Sequence, residues 1–356
     1  LGDATRKGKT MRYAFAAAAL VATLAIGSRV QAAEDETLGK LDQALAAAVS
    51  FEPGGDSGPL RQIEQIVFEL PSGAELRGTI EEKLLSALES AKTADAKRFL
   101  CRQLRVIGTE RCVPPLAKLL TDPEVSHMAR YALGRLETPD ASTALHRALL
   151  QTSGKVQAGI INTLADRGCR QAKPDLVRLL ASPDVVVAKA AAAALGRLGG
   201  ADAVEALNAA RGKGSPELAI EIENAVLGCA EQLAAEGKTD EAAAIYQSLY
   251  KAGPSPQLRC AGLRGLVLTR GEQTVGLLRS AIQSGDADLQ RTAISYVPFA
   301  QGDKAALAFA GVLDSLPPEG QVLLLRALGR RSDAMAASGV MWRATKSEDQ
   351  AVRIAA

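Results

Sequence analysis

Aromatic residues make up only 3% of the 356-residue sequence, with a single Trp, and there are only two His. With so few rings, an apolar content of 47% must build its core from Ala, Leu and Val. That profile suits closely stacked helices better than a β-sandwich or a nucleotide-binding α/β domain. Motifs that carry chemistry are missing as well. The sequence has no Gly-x-Ser-x-Gly elbow, no His-Glu-x-x-His helix and no Walker lysine, so nucleophile, zinc-protease and P-loop chemistry find no support. It also lacks Cys-x-x-Cys and Cys-x-x-Cys-His, the spacings of zinc ribbons, thioredoxin-like sites and c-type haem attachment. Glycines cluster between Glu52 and Pro59, but a phosphate cradle needs a preceding strand and a following Lys-Ser/Thr. No catalytic residue, cofactor or metal is expected, and the chain reads as non-enzymatic.

Charge is nearly balanced, at a formal +2. Met11-Arg12, the apolar run Tyr13 to Ile26 and the small-residue site Val30-Gln31-Ala32 have the layout of a secretory signal peptide, with Ala33 an alternative end. The run is short for a membrane span, so no membrane insertion is expected after cleavage. No Cys follows the site, which argues against a lipoprotein anchor. Loss of residues 1–32 removes five basic residues (Arg6, Lys7, Lys9, Arg12, Arg29) and one acidic one (Asp3), leaving 37 basic and 39 acidic, net −2. Such a chain, poor in rings, is a weak candidate for nucleic-acid binding. The expected localisation is exported, periplasmic or extracellular.

What the sequence does contain is a beat. Val125, Val156 and Val187 are 31 apart, as are Leu258 and Leu289. Each lies eight positions before another apolar anchor: Leu133, Leu164, Leu195, Leu266 and Val297. Helix-start signals keep the same time at Thr121-Asp-Pro123, Ser182-Pro183, Ser215-Pro216, Ser255-Pro256 and Leu316-Pro-Pro318. Ser182 reads as an N-cap with Pro183 at the first helical position, and Gly199-Gly200 reads as that helix's stop. A second, shorter helix follows each first one: Pro114–Leu120, Ala141–Leu150, Pro174–Leu180, Ala201–Ala210 and Gln273–Ile282. One such hairpin cannot bury its apolar face alone, so neighbours must stack. Earlier helices are expected over Thr37–Val49, Leu60–Leu70 and Glu75–Ala91.

Pro183-Asp-Val-Val-Val-Ala-Lys-Ala-Ala-Ala-Ala-Ala-Leu-Gly196 resembles the first helix of a HEAT repeat, and residues 121–134 and 348–356 are similar. The resemblance spans roughly 93 to 356, about seven repeats and a partial one. It implies an all-α, right-handed α-α superhelix of the HEAT/armadillo type, whose second helices line a concave surface. The family's characteristic Arg stands as Arg259 and Arg353, but Ser126, Gln157, Ala188 and Gln290 take its place elsewhere, so no continuous Arg ladder is expected. Ala230 to Leu249 resembles a tetratricopeptide hairpin. The resulting division is 1–10 upstream and not translated, 11–33 signal peptide, 34–92 N-terminal helical cap or degenerate repeats, and 93–356 repeat array, with an expanded repeat at about 215–253. The array breaks off inside a first helix, so the natural protein is expected to continue. Exported HEAT arrays of this kind often carry a C-terminal domain, such as a 3-keto-disaccharide hydrolase-type sandwich or a cytochrome. The family also includes bilin-attaching lyases.

The candidate site is a row. Lys118, Arg147, Arg178 and Arg279 occupy equivalent places on second helices, with Ala209 a gap in the series. They read either as a positive stripe for an acidic partner or as complements to the last carbonyls of their helices. The expected partner is a protein or an attached C-terminal domain. His127 and His146 are expected to be surface or packing residues, because two His without a third ligand make a poor metal site. The acidic pairs Glu81-Glu82 and Asp240-Glu241 read as helix-start carboxylates complementing the dipole. Cys101 with Cys112, and Cys229 with Cys260, fall on helices able to meet. The five Cys read equally as small buried residues in helix interfaces.

Overall fold

The computed structural model describes residues 31–70, 76–302 and 304–356. Among them every regular element is helical, and no helix is long and apolar enough to cross a membrane. The predicted targeting segment lies outside the described residues except for 31–33, and so do residues 1–10. Contacts divide the chain into two compact units, one ending at Thr163 and the other starting at Leu164.

The first unit contains α1 (31–48), α2 (Gly58–Glu69), α3 (Leu76–Ser90), α4 (Ala94–Ile107), α5 (Val113–Lys118), α6 (Ser126–Leu133) and α7 (Pro139–Leu149). The helix α8 (Gly154–Asp166) begins in it. Even-numbered helices are the first members of hairpins and odd-numbered ones the second. First helices pack on first helices, α2 on α4 and α4 on α6, while α3, α5 and α7 form the second row. Thr93 caps α4 by accepting the Ala96 N–H, and its hydroxyl also donates to the Phe51 carbonyl at 2.5 Å, tying the start of α4 to the loop between α1 and α2.

The second unit contains α9 (Lys173–Leu179), α10 (Val185–Leu198), α11 (Ala201–Ala210), α12 (Pro216–Ala235), α13 (Thr239–Ala252) and α14 (Pro256–Arg270). It continues through α15 (Thr274–Ile282), α16 (Ala287–Tyr296), α17 (Ala305–Ala310), α18 (Pro318–Gly329), α19 (Ser338–Ala344) and α20 (Gln350–Ala355). Its first helices stack in order from α10 to α20. The Ala-rich sequence of α10 serves this stacking. A Cβ on Gly196 would lie 2.7 Å from the Cα of Ala225 on α12, so only a glycine allows that approach. The stretch resembling a tetratricopeptide hairpin is the pair α12–α13, turned at Gly237 with φ +78°.

The 31-residue beat is a core register. Val125, Leu133, Leu164, Val187, Leu195, Leu258, Leu266, Leu289 and Val297 are all buried, and Val156 is half-buried. Burying one such side chain is worth about 1.5–3 kcal/mol, which explains why these positions keep time while the surface drifts.

Two helix starts differ from the sequence reading. The cap of α10 is Asp184, whose carboxylate accepts the Val186 and Val187 N–H groups, while Ser182 accepts the Asp184 N–H one turn earlier. Both residue types are sound caps, and the extended backbone at Asp184 is what sets its carboxylate against these N–H groups, at the positive end of the helix dipole. Likewise α6 begins at Ser126, with Thr121-Asp-Pro123 forming a turn in which Asp122 accepts the Glu124 N–H. Ser215 and Ser255 cap α12 and α14 as expected.

Four of the six positions of the characteristic Arg share a job although the residue changes; Ala188 has no polar side chain, and the buried Ser126 hydroxyl has no partner among the described residues. Arg259 reaches the Gly253 carbonyl and pairs with Asp286 at 2.8 Å; Arg353 reaches the Ser347 and Glu348 carbonyls. Gln157 and Gln290 donate to the Leu149 and Ile282 carbonyls, eight residues earlier. A neutral amide therefore closes the preceding helix end where the guanidinium is missing.

Candidate partner-binding surfaces

Each of the four basic positions stands in the last turn of a second helix: Lys118 on α5, Arg147 on α7, Arg178 on α9 and Arg279 on α15. All four are exposed. Lys118 lies 3.4 Å from Glu89, and Arg178 pairs with Asp175 one turn before it on α9. No carboxylate pairs with Arg147 or Arg279 among the described residues. The structure brings Lys118 and Arg147 onto adjacent helices in the first unit, with Leu150 exposed beside Arg147. Arg178 and Arg279 belong to the second unit, with α11 and α13 between their helices in chain order. The last-turn placement complements the helix carbonyls and leaves the guanidinium groups of Arg147 and Arg279 facing solvent.

Ala209, the gap in that series, lines a groove. In the second unit α9, α11 and the start of α12 enclose an open cleft of about 450 Å³ walled by Val177, Leu180, Ala206, Ala209, Ala210 and Leu218. Three alanines on one helix leave the space that longer side chains would fill, and exposed Lys213 stands at the rim. The cleft is held at its ends. Glycines 199 and 200, with φ of +62° and +95°, start α11 immediately after α10. Lys173 at the head of α9 pairs with Asp202 on α11 at 2.8 Å, and that hydrogen bond holds the Asp202 carboxyl below its usual range. Arg211, just beyond α11, pairs with Glu223 on α12 at 2.7 Å. The sequence reading passed over this cleft because alanines carry no motif. The interruption of the basic series was its one visible signal.

Glu81 is the clearest departure from expectation. It lies well inside α3, is only 1% exposed, and does not serve a helix start. Its carboxyl accepts the Thr109 N–H at 2.7 Å, the Thr109 hydroxyl at 2.8 Å and the Cys112 thiol at 3.1 Å, clamping the turn between α4 and α5. Asp240 and Glu241 do occupy the first turn of α13.

All five cysteines are free thiols, and four of them are buried. Burial pushes Cys101 up to about 12 and Cys229 up to about 11. Cys112 rises further, through burial and then through its hydrogen bond to Glu81. Thiols this reluctant to ionise are poor nucleophiles. His127 is exposed, and its pKa is lowered first by partial burial and then by Arg98 and Arg130 nearby. Among the described residues no group of three or more potential metal ligands comes together.

The sequence matches the HEAT repeats over residues 81–156 and 147–225. No curated protein matches it. Among solved structures, a chain from the complex of CpcE and CpcF of phycocyanin lyase from Nostoc sp. PCC7120 is 24% identical, with 65% of this chain and 94% of that chain covered and a TM-score of 0.35. Human deoxyhypusine hydroxylase in complex with glycerol is 19% identical, with 69% and 93% covered and a TM-score of 0.33. Kap121p bound to Pho4p is 12% identical, with 91% and 43% covered and a TM-score of 0.45. Residues 81–225 match HEAT repeats, and the described residues beyond them are likewise helical, with no strand among them.

Proposed function

We propose that the chain is a non-enzymatic, exported scaffold that holds a protein partner, or positions an attached domain, through surfaces on its second helices. The observation that carries this reading is the α9–α11 cleft. It is a preformed apolar trough with exposed Lys213 at its rim. Such a trough accepts an apolar side chain of a partner segment, and Lys213 favours a carboxylate beside it. In the first unit, Arg147 beside exposed Leu150 offers the same combination of charge and apolar surface. Export rests on the layout of residues 11–33.

The test places a photo-crosslinking amino acid at Ala209 and, in a second variant, at exposed Asn208 as a control facing away from the cleft lining. A discrete partner crosslinked from Ala209, and lost on Ala209→Trp, supports the reading. Charge reversal at Arg147 and Arg178 is expected to weaken capture of the same partner. Equal crosslinking from both positions, or capture indifferent to filling the cleft and to both reversals, sinks it. Fractionation of the expressing cell, with N-terminal sequencing of the product, tests export. A mature protein beginning at Ala33 or Glu34 in the exported fraction is expected, and an intact Met11 start in the cytosol refutes it.

A further inference from the structure

The first unit carries a second surface, on its first helices, that differs in chemistry from the second-helix face. Phe68 on α2 is 87% exposed, Val106 on α4 51% and Tyr131 on α6 49%. Large apolar side chains on three consecutive helices of one stacked row form a patch rather than scattered exposures. Between α2 and α4 the patch opens into a groove of about 460 Å³ lined by Val67, Phe68, Arg102, Val106 and Glu64.

Arginines run through this patch. The helix α4 holds Lys97, Arg98, Arg102 and Arg105 against a single acid, Asp95. Arg98 is engaged, pairing with Asp95 at 2.8 Å and donating to the Glu124 carbonyl. Arg102 and Arg105 differ: among the described residues neither pairs with a carboxylate. Each lies instead over a ring, Arg102 at 5.7 Å from the Phe99 centroid and Arg105 at 4.1 Å from that of Tyr131. A guanidinium held over an aromatic ring by its positive charge keeps its N–H groups available for a carboxylate. Both side chains are thus partly ordered before any partner arrives, which lowers the entropy lost on binding.

We infer that the α2–α4–α6 face binds a protein segment in which an apolar side chain is flanked by carboxylates. The apolar residue would enter the groove beside Phe68 and Val106, and the carboxylates would meet Arg102 and Arg105. A phosphate backbone is disfavoured, because the groove is walled mainly by Val67, Phe68 and Val106 and offers one cation, Arg102, to a continuous row of charges. This inference rests on the scaffold reading above but uses other residues, so the two fail separately.

The probe is a fluorescein-labelled pool of 12-residue peptides, each with a central Phe or Leu among Asp and Glu, read by fluorescence anisotropy against the full chain. The pool is expected to bind in low salt and to weaken at 0.5 M NaCl. A pool with Asn and Gln replacing the acids is expected to bind at least tenfold more weakly. R102E/R105E and Phe68→Ser are each expected to raise Kd at least tenfold. Arg147→Glu, on the other row of helices, is expected to leave it unchanged and controls for non-specific charge. Arg102→Gln/Arg105→Gln, with circular dichroism matched to the parent, guards against a folding artefact. Absence of binding up to millimolar chain, binding indifferent to the Arg102 and Arg105 variants, or tighter binding of a 12-nucleotide poly-uridine RNA would overturn the inference.

Discussion

Substituting Gly262 tests whether the α13–α14 contact depends on a missing side chain. A Cβ built at Gly262 lies 2.5 Å from the Tyr250 amide nitrogen and 2.7 Å from the Tyr246 carbonyl oxygen. Both obstacles are backbone, so no rotamer change relieves them, and the two helices must separate by roughly 1 Å to reach ordinary contact. Forcing extra volume into a packed interface costs about 1–3 kcal/mol. Against this, Ala is better than Gly in a helix by about 1 kcal/mol. With backbone on both sides of the clash, a net loss of up to about 2 kcal/mol is expected at Gly262. At Gly276 the balance reverses. Nothing lies within 4 Å of its Cβ position, and Gly276→Ala is expected to stabilise α15 by up to about 1 kcal/mol. Hydrogen exchange resolved to α13–α15 is the appropriate assay, because long repeat arrays do not melt as one unit. Faster exchange across α13 and α14 in Gly262→Ala, with slower exchange in α15 for Gly276→Ala, is the expected pair of results. Unchanged or slowed exchange in Gly262→Ala would show that the close approach is not real.

Three other predictions follow from the polar contacts. Glu81→Gln keeps an acceptor for Thr109 and is expected to cost less than Glu81→Leu, which strands the part-buried Thr109 N–H and loses about 1–3 kcal/mol; in both, Cys112 should become more acidic as the Glu81 contribution to its raised pKa disappears, read by the pH dependence of thiol alkylation. Arg331 is buried and donates to the Val297 and Ala300 carbonyls as well as to Asp333; Arg331→Met is expected to destabilise α16–α18 by about 3–5 kcal/mol, measured by hydrogen exchange. Asp202, Asp286 and Asp333 have pKa values lowered by hydrogen bonds from Lys173, Arg259 and Arg331 respectively. Their contribution is therefore complete above the ordinary Asp value of 3.8 and is lost as pH falls through their lower folded values. Protection near these pairs should be flat between pH 5 and about 8 and fall below pH 4, and a fall at pH 6 would contradict the assignment.

The legible part of this protein was its periodic part. A repeat makes the same burial demand every 31 residues, so Val125, Leu133, Val187 and Leu195 declare the stacked core without any coordinates. Second helices were readable for the same reason, and Ala201–Ala210 falls where the sequence pattern puts it. Local competition was harder to read. At the head of α10, Ser182 and Asp184 are both sound caps by type, and only the backbone path decides which one meets the free N–H groups. Glu81 was misread because nothing in its own neighbourhood reveals that Thr109 and Cys112, 28 and 31 residues later, turn their donors onto it.

The candidate surfaces divide in the same way. The last-turn cations were visible, because helix ends attract positive charge wherever they occur. The α9–α11 cleft and the Phe68–Arg102–Tyr131 patch were not, because each is assembled from unremarkable residues on different helices. Sequence alone determined the secondary structure and the repeat, since both depend on spacing along one chain. Tertiary structure alone decided which polar groups find partners and which apolar ones are left exposed, since both depend on what the next helix places opposite.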